Sequence, residues 1–476
     1  MYDVVVVGGG IGGLTVAALL SARGVKTCLI ERQSQVGGCI ARAEFSGYDF
    51  EPGMGVYTSF GTGEIYDQIF AELPVERPPA KPIEFDYVVR FDRDIILKKN
   101  DDEFYEELRV GFPECAQEAI EFYQLVSRAR EAPPSRSGLF SKTLNRLRAS
   151  TPDTLEAARM QTTLSYASAT SARFQRFVDA QLQSFLHTSI SRCSFVQALD
   201  ALSLPRNNLY SITGGISSIA ERLAESIKLS GGVVRLNTPV LRLAYDKKGV
   251  AVGVDLLTGE RVLAKHAIIS NLTIWDTYGK LVGLNRTPAA IKNELAKTEG
   301  RGAYVIYASL EESALARLPA RHFLVALQPG NEEEGVSDEI TFSVGQRSIE
   351  GKWPATIKTS TDVAQWFSFH TSEEDFEQQD QQTLEHLWAR LHSAIPELGS
   401  GIEVIETANP QTYYENTRRK LGMVMGVERT LREASQANSN ETCIPNVFVV
   451  SDTVSSRFGI SGVAQSAALL AKKLAK

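Results

Sequence analysis

Short apolar runs alternate with helix-like segments along much of the chain, and this alternation predicts an α/β fold. The first run, Val4–Val7, contains no polar residue, which is typical of a buried parallel strand. The Ala- and Leu-rich segment Leu14–Arg23 predicts a helix, and Gly24 predicts its end. Val25–Ile30 then predicts a second strand. The chain therefore opens with a strand–helix–strand unit.

The rest of the chain alternates between helical and mixed regions. Alternating side chains at 84–98 predict a strand pair, and 102–204 is mostly helical, with a break at Pro133-Pro134. Two mixed regions follow, at 206–271 and at about 300–405. Strands are predicted at 233–236, 240–246, 250–257 and 267–271, in the first mixed region, and at 447–451, near the end of the chain. After residue 205, helices are predicted at 216–229, 374–394 and 461–474.

A glycine motif joins the first predicted strand to the first helix. Gly8, Gly10 and Gly13 have the G-x-G-x-x-G spacing, which permits a tight turn and lets a pyrophosphate approach the helix N-terminus. Glu31 follows the second strand, where a carboxylate can accept hydrogen bonds from a ribose diol. A carboxylate there would repel a 2′-phosphate, so the motif favours FAD or NAD over NADP.

Composition narrows the class of protein. The 476 residues suffice for two or three domains, and a formal net charge of -7 gives no reason to expect nucleic-acid binding. Five scattered cysteines without a C-x-x-C pair fit a reducing cytoplasm better than a disulfide or zinc framework. The uncharged span Val4–Ala22 is interrupted by five glycines, so we expect no membrane-spanning segment.

Further blocks extend the first motif over most of the chain. They are the doublet Gly37-Gly38 followed by Cys39, the segment Asn237–Val240, the acid Asp452 after the last predicted strand, and Gly459, Gly462 and Val463 before and within the last helix. Together with the first motif, these blocks resemble the FAD-dependent phytoene desaturase-like flavoproteins. The resemblance is to the carotenoid isomerase and retinol saturase-like branch of the amine-oxidase-type FAD superfamily.

The resemblance implies an α/β fold with a Rossmann-type FAD-binding domain and an interleaved substrate domain of mixed sheet and helices. Residues 1–80, 206–285 and 411–476 would form the FAD-binding domain, and residues 81–205 and 286–410 the substrate domain. The backbone at Val240 would hold the adenine, and Asp452 the ribityl or pyrophosphate part. The cofactor-binding residues implied in this way are Gly8, Gly10, Ile11, Gly12, Gly13, Glu31, Arg32, Gly37, Gly38, Cys39, Val240, Asp452, Gly459, Gly462 and Val463.

The family resemblance implies an FAD-dependent oxidoreductase that desaturates, saturates or isomerises bonds of a long apolar isoprenoid or polyene. Such a substrate calls for an apolar tunnel rather than a cluster of acids and bases. The six histidines are dispersed without metal-ligand or triad spacing, so we name no catalytic residue and no metal site. Two alternatives remain: a flavin amine oxidase, and a non-catalytic carrier of prenylated proteins similar to the GDP-dissociation inhibitors.

One basic segment bears on the environment of the protein. Between Arg128 and Arg148, arginines alternate with apolar residues, a pattern that on a helix can lie on anionic lipid. The same pattern is also typical of a solvated helix face. The sequence therefore predicts peripheral membrane contact as one of two interpretations of this segment.

Overall fold

Most of the β-structure lies in two seven-stranded sheets, each built from segments that are distant in the sequence. The computed structural model describes residues 1–84, 87–131, 161–298, 300–327, 336–367, 373–424, 426–427, 440–455 and 459–475. Its strands are β1 Tyr2–Val7, β2 Thr27–Ile30, β3 Ala43–Phe45, β4 Tyr48–Phe50, β5 Ala80–Pro82, β6 Tyr87–Arg90, β7 Asp94–Leu97, β8 Tyr210–Ile212, β9 Val233–Arg235, β10 Val240–Tyr245, β11 Ala251–Leu256, β12 Arg261–Ser270, β13 Gly302–Glu311, β14 His322–Ala326, β15 Val336–Val344, β16 Lys352–Thr361, β17 Ile402–Ala408 and β18 Val447–Val449.

Helices cover the faces of these sheets and fill the space between them. The described helices are α1 Ile11–Ala22, α2 Ile65–Ala71, α3 Asp101–Gly111, α4 Ala116–Glu131, α5 Thr163–Tyr166, α6 Ala172–Leu186, α7 Phe195–Asn207, α8 Ser217–Leu229, α9 Ile274–Asp276, α10 Ala289–Lys297, α11 Glu312–Leu315, α12 Glu373–Ala394, α13 Pro410–Thr417 and α14 Gly459–Leu474. A π-helical turn, Thr277–Gly283, continues α9.

Sheet one has the order β10-β11-β12-β1-β2-β9, with β18 paired to β12. Strands β1, β2, β9, the end of β12 and β18 run parallel, as the apolar runs predict. Helices α1, α8 and α14 pack together on one face of this sheet, and the residues between them are apolar. The first helix begins at Ile11, earlier than the predicted Leu14, because Gly12 and Gly13 already have helical conformation.

Sheet two has the order β17-β13-β16-β15-β14-β6-β7. One face is apolar: Ile340, Phe342 and Ile357 pack against Leu387 and Leu391 of α12. The opposite face lies against α6. This asymmetry follows from the period-2 alternation of β15 and β16, which sends every second side chain to the same side.

The strands of sheet one come from residues 2–30, 233–270 and 447–449, and those of sheet two from 87–97 and 302–408. The boundaries of the five segments given above stay a prediction. No described helix combines the length and the hydropathy needed to cross a bilayer. Most of the basic segment 128–148 lies outside the described residues, so its membrane contact also stays a prediction.

Candidate functional site

The opening turn presents the bare N-terminus of α1. Gly10 is the N-cap and supplies no side-chain hydrogen bond, and the first turn contains no acidic residue. Backbone N–H groups at such a terminus are available to an anion. The turn is tight: Gly8 has φ +101°, and a Cβ on Gly13 would lie 2.2 Å from the Gly8 carbonyl oxygen. Only glycine fits at residue 13 without a backbone shift.

Glu31 lies beside this turn at the end of β2. Its carboxylate accepts hydrogen bonds from the N–H groups of Gly9 at 2.6 Å and Gln33 at 2.8 Å. A carboxylate has further lone pairs, so Glu31 can still accept from a ribose hydroxyl. The Thr238 N–H donates to the Glu31 carbonyl at 2.9 Å, which brings the start of β10, with Val240, to the same edge of sheet one.

The second glycine turn packs directly on the first. The Gly37 N–H donates to the Gly9 carbonyl at 2.8 Å, and a Cβ on Gly38 would lie 3.5 Å from the Gly10 Cα. Cys39 follows in a 3₁₀ turn, Gly38–Ile40. Backbone from the two turns therefore lines a common surface.

Arg32 bonds to a different part of the protein. Its guanidinium donates to the carbonyls of Glu415 at 3.1 Å and Asn416 at 2.7 Å, at the C-terminal end of α13. These acceptors lie at the negative end of a helix, where a cation is stabilised. A contact of Arg32 with a cofactor stays a prediction.

The terminal block meets the opening turn in space. The Asn271 side-chain amide donates to the Val450 carbonyl at 2.6 Å. A Cβ on Gly12 would lie 2.8 Å from side-chain atoms of Asn271, Val450 and Val463. Gly459, with φ +70°, begins α14, in which Gly462 and Val463 are buried. The start of α1, the end of β18 and the start of α14 are therefore in contact.

Asp452 forms an ion pair that the sequence analysis missed. Its carboxylate lies 2.6 Å from the guanidinium of Arg419, and both side chains are largely buried, at 25% and 14% exposed. Arg419 lies outside every motif from which the sequence analysis predicts a site residue. Burial raises the pKa of the nearby Cys39 thiol, although Arg419 and Lys358 oppose the shift. Cys39 is therefore a neutral packing residue rather than a thiolate nucleophile.

A small cavity lies between α6 and the polar face of sheet two; we call it the polar cavity. It leaves about 20 Å³ for the centre of a water-sized group, within about 300 Å³ of open space. Helix α6 and the residue after it contribute Gln183, Ser184 and His187, strands β15 and β16 contribute Glu339, Thr341, Lys358, Thr359 and Ser360, and Met54 completes the lining.

Two polar groups of this lining, a hydroxyl and an ammonium group, bear on what the cavity could bind. Ser184 is 8% exposed, and its hydroxyl makes no hydrogen bond. Among the residues that the structure describes, no carboxylate pairs with Lys358, and burial lowers the pKa of its ammonium group. A buried hydroxyl without a partner costs about 1–3 kcal/mol, so its retention calls for an explanation.

The titratable groups of the cavity are shifted towards their neutral forms. Burial, followed by Lys358 and Arg301, lowers the pKa of His187 to about 3. Its Nδ1 lies 3.1 Å from the Gln183 carbonyl, which assigns the proton of the neutral ring to Nδ1 and leaves Nε2 as an acceptor. Burial also raises the pKa of Glu339 to about 7, and Asp179 adds to the shift.

The polar cavity differs from the apolar tunnel that the sequence analysis expected. The missed signal is the alternation of β15 and β16, which places Glu339, Thr341, Thr356, Lys358 and Ser360 on one face of sheet two. An apolar wall does occur nearby, where the rings of Phe45, Phe50 and Tyr307 pack at tilted angles with centroids 5.0–6.1 Å apart. Among the described residues, no cluster of side chains could hold a metal ion.

Comparisons with known proteins agree with this architecture. Prolycopene isomerase of Daucus carota is 24% identical over 515 residues, covering 100% of this chain and 80% of the relative. All-trans-retinol 13,14-reductase of Danio rerio is 21% identical and covers 94% of this chain and 82% of the relative. An oxidoreductase structure from Methanosarcina mazei has a TM-score of 0.68 at 16% identity, covering 98% of this chain and 99% of that chain.

The family described as flavin containing amine oxidoreductase matches residues 11–472, which is most of the chain. The match includes the start of α1, the whole of sheet two and nearly all of α14. The chain belongs to this family and is an FAD-dependent oxidoreductase.

Proposed function

We propose that the two glycine turns and the terminal block hold FAD along one continuous surface. The N–H groups at the start of α1 would bind the pyrophosphate, and Glu31 the adenosine ribose. The backbone at Val240 would lie along the adenine, and Asp452 would accept from ribityl hydroxyls. The observation that supports this assignment is the mutual contact of Gly12, Val450 and Val463 at an uncapped helix terminus.

The other predicted residues have supporting roles in the same proposal. Gly8, Gly10, Gly13, Gly37 and Gly38 keep the surface free of side chains, so that a pyrophosphate can approach the backbone. Ile11 contributes its N–H at the helix terminus, and Cys39 packs beside the Arg419–Asp452 pair. Gly459 and Gly462 let α14 begin close to the surface, where its N–H groups can stabilise negative charge on a reduced flavin.

We further propose that the enzyme acts on C–H or C=C bonds of an isoprenoid or polyene chain. The supporting observation is the similarity, over nearly the whole chain, to relatives named prolycopene isomerase and all-trans-retinol 13,14-reductase. FAD, when bound, supplies hydride acceptance or donation. The chain's own residues would orient the substrate and exclude water, and the apolar wall of Phe45, Phe50 and Tyr307 suits an isoprenoid.

The location of the polar cavity fits a substrate site beside the cofactor. Lys358 lies close enough to influence both Cys39, next to the Arg419–Asp452 pair, and His187, in the cavity lining. One side chain on β16 therefore connects the two regions. A substrate bound between them would contact the apolar wall and the proposed flavin surface together.

The test is anaerobic incubation of the purified flavoprotein with prolycopene, all-trans-retinol, squalene and benzylamine. If the enzyme desaturates a chain, the oxidised flavin loses its absorption band at about 450 nm. If it saturates a chain, the reduced flavin regains that band. Isomerisation leaves the band unchanged and gives a new isomer on chromatography. Change with any of the isoprenoid or polyene substrates supports the proposal, whereas bleaching by benzylamine alone overturns it. A colourless protein that takes up no FAD would contradict the proposed cofactor surface.

A further inference from the structure

We propose that the polar cavity binds the carboxylate end of the substrate, with Lys358 as its ion partner and the Ser184 hydroxyl as a hydrogen-bond donor. The inference rests on the proposed function and narrows its substrate class to an isoprenoid or polyene acid. It adds a polar recognition site to a reaction that otherwise needs only apolar contacts.

The size of the cavity suits an end group rather than a chain. A space of about 20 Å³ for the centre of a water-sized group holds one or two such groups, which suits the two oxygens of a carboxylate end. The rest of an isoprenoid must therefore lie outside the cavity, and the edge of the apolar wall, where Phe45 is only partly buried, would contact it. The two surfaces divide the substrate into a polar end and an apolar body.

The unpartnered groups of the lining are both donors. Lys358 offers ammonium N–H groups, and Ser184 offers a buried hydroxyl that makes no hydrogen bond. Each group loses its hydration on burial and regains an equivalent interaction only from a ligand. A carboxylate accepts two or more hydrogen bonds, so it can satisfy both donors at once.

The charges near the cavity favour an anion over a cation. His187, which lines the cavity, experiences the positive fields of Lys358 and Arg301. The acidic group of the lining, Glu339, is shifted towards its protonated, neutral form. At pH 6.5, below the pKa of Glu339, the fixed charge of the lining is therefore mainly the ammonium of Lys358, which attracts a carboxylate and repels a substrate amine.

The experiment compares end groups on one hydrocarbon skeleton. Farnesoic acid, farnesol, farnesylamine and farnesene are titrated into the FAD-loaded enzyme at pH 6.5, and Kd is read from the perturbation of the flavin spectrum. We expect the acid to bind at least about tenfold more tightly than the alcohol, as a charge-assisted hydrogen bond implies. Farnesene should bind more weakly than the alcohol.

Variants of two lining residues and of one control lysine test the site. K358M should abolish the preference for the acid, K358R should retain most of it, and S184A should weaken acid binding several-fold. K352M changes an exposed lysine of the same strand, paired with Glu403, and should leave all four Kd values unchanged. Flavin content, measured for each variant, shows that the protein is folded and loaded.

The outcomes separate the two proposals. If farnesene and farnesol bind as tightly as the acid, or if K358M keeps the preference, the carboxylate site is overturned while the isoprenoid proposal stands. Tighter binding of farnesylamine also overturns it. If none of the four ligands perturbs the flavin, the isoprenoid proposal itself is contradicted, and the inference that rests on it fails with it.

Discussion

The opening turn and the polar cavity present different parts of the polypeptide to their proposed ligands. At the opening turn, glycines remove side chains so that backbone N–H groups and a helix terminus face the proposed cofactor. In the polar cavity, side chains of α6, β15 and β16 converge; the Ser184 hydroxyl makes no hydrogen bond, and no carboxylate among the described residues pairs with Lys358. In the two proposals, backbone would perform the recognition in the first region, and side chains would perform it in the second.

This difference has an energetic consequence. The opening turn depends on close packing, with Gly10 and Gly12 held against Asn271 and Val450. A substitution that disturbs the turn should therefore also lower the stability of sheet one. The cavity instead retains unsatisfied and charge-shifted groups, which lower stability without a ligand. Substitutions should therefore destabilise the first region and in places stabilise the second.

The largest effect is expected from Gly13→Ala. The added Cβ would lie 2.2 Å from the Gly8 carbonyl oxygen, so the turn must shift, at a cost of about 3 kcal/mol in unfolding free energy. We expect the purified variant to contain little or no flavin. Gly279→Ala is the control, because nothing lies within 4 Å of a Cβ at residue 279. Normal flavin content in Gly13→Ala would show that the turn tolerates side chains.

Asp452→Asn should have the next largest effect. It leaves the largely buried Arg419 guanidinium without its carboxylate, which we expect to lower the unfolding free energy by about 2 kcal/mol. Asp49→Asn breaks an exposed pair with Arg42 and should change it by no more than about 0.5 kcal/mol. Urea denaturation of both variants without FAD measures the difference, and equal losses would contradict the assigned burial.

The pH dependence of stability tests the cavity itself. The folded protein holds a proton on Glu339 up to about pH 7, whereas the unfolded chain releases it near 4.5. The contribution of Glu339 to the unfolding free energy therefore falls as pH rises between these values, by roughly 1–2 kcal/mol after allowance for screening. Glu339→Gln should gain stability relative to the original protein over that range, as measured by urea denaturation at successive pH values.

The contribution of His187 to the pH dependence of stability has the opposite sign. The unfolded chain binds a proton near pH 6.5 that the folded protein does not bind until about pH 3, so stability falls as pH decreases. His187→Gln should therefore gain relative stability at low pH. The groups that influence the two residues are Lys358 on β16, Asp338 on β15, Asp179 on α6, Ser337 on β15 and Arg301 before β13. Identical pH profiles for both variants would contradict this assignment.

The smallest expected effect distinguishes two buried serines on neighbouring helices. Ser203 donates to the Leu199 carbonyl at 2.5 Å, so Ser203→Ala should lower the unfolding free energy by about 1 kcal/mol. Ser184 has no partner, so Ser184→Ala should leave it unchanged or raise it slightly. Thermal unfolding without ligand measures both variants, and a clear loss in Ser184→Ala would indicate a hydrogen bond at that hydroxyl.

The sequence predicts the two regions unequally, for a physical reason. The opening turn is local: glycine spacing, an apolar strand and Glu31 specify it within about thirty residues. The cavity draws on residues 54, 183–187, 339–341 and 358–360, whose proximity depends on strand order and on how α6 docks. Period-2 alternation indicates that β15 and β16 have a polar face, but it does not indicate what that face meets.

The Arg419–Asp452 pair shows the same limit on a smaller scale. Asp452 follows an apolar strand and resembles a family acid, so the sequence predicts it as a site residue. Arg419 lies between α13 and a glycine segment, and only the fold brings it to Asp452.

The pairing of β1 with β12, and of β12 with β18, has a consequence for biosynthesis. A ribosome makes β1 and α1 first, but α14, which packs on α1, and β18, which pairs with β12, emerge some four hundred residues later. At about 5–20 residues per second, the apolar strands of the nascent chain wait tens of seconds for these neighbours. Because the proposed flavin surface includes the start of α14, flavin uptake would be one of the last events in maturation, and chaperones would have a defined interval in which to protect the waiting strands.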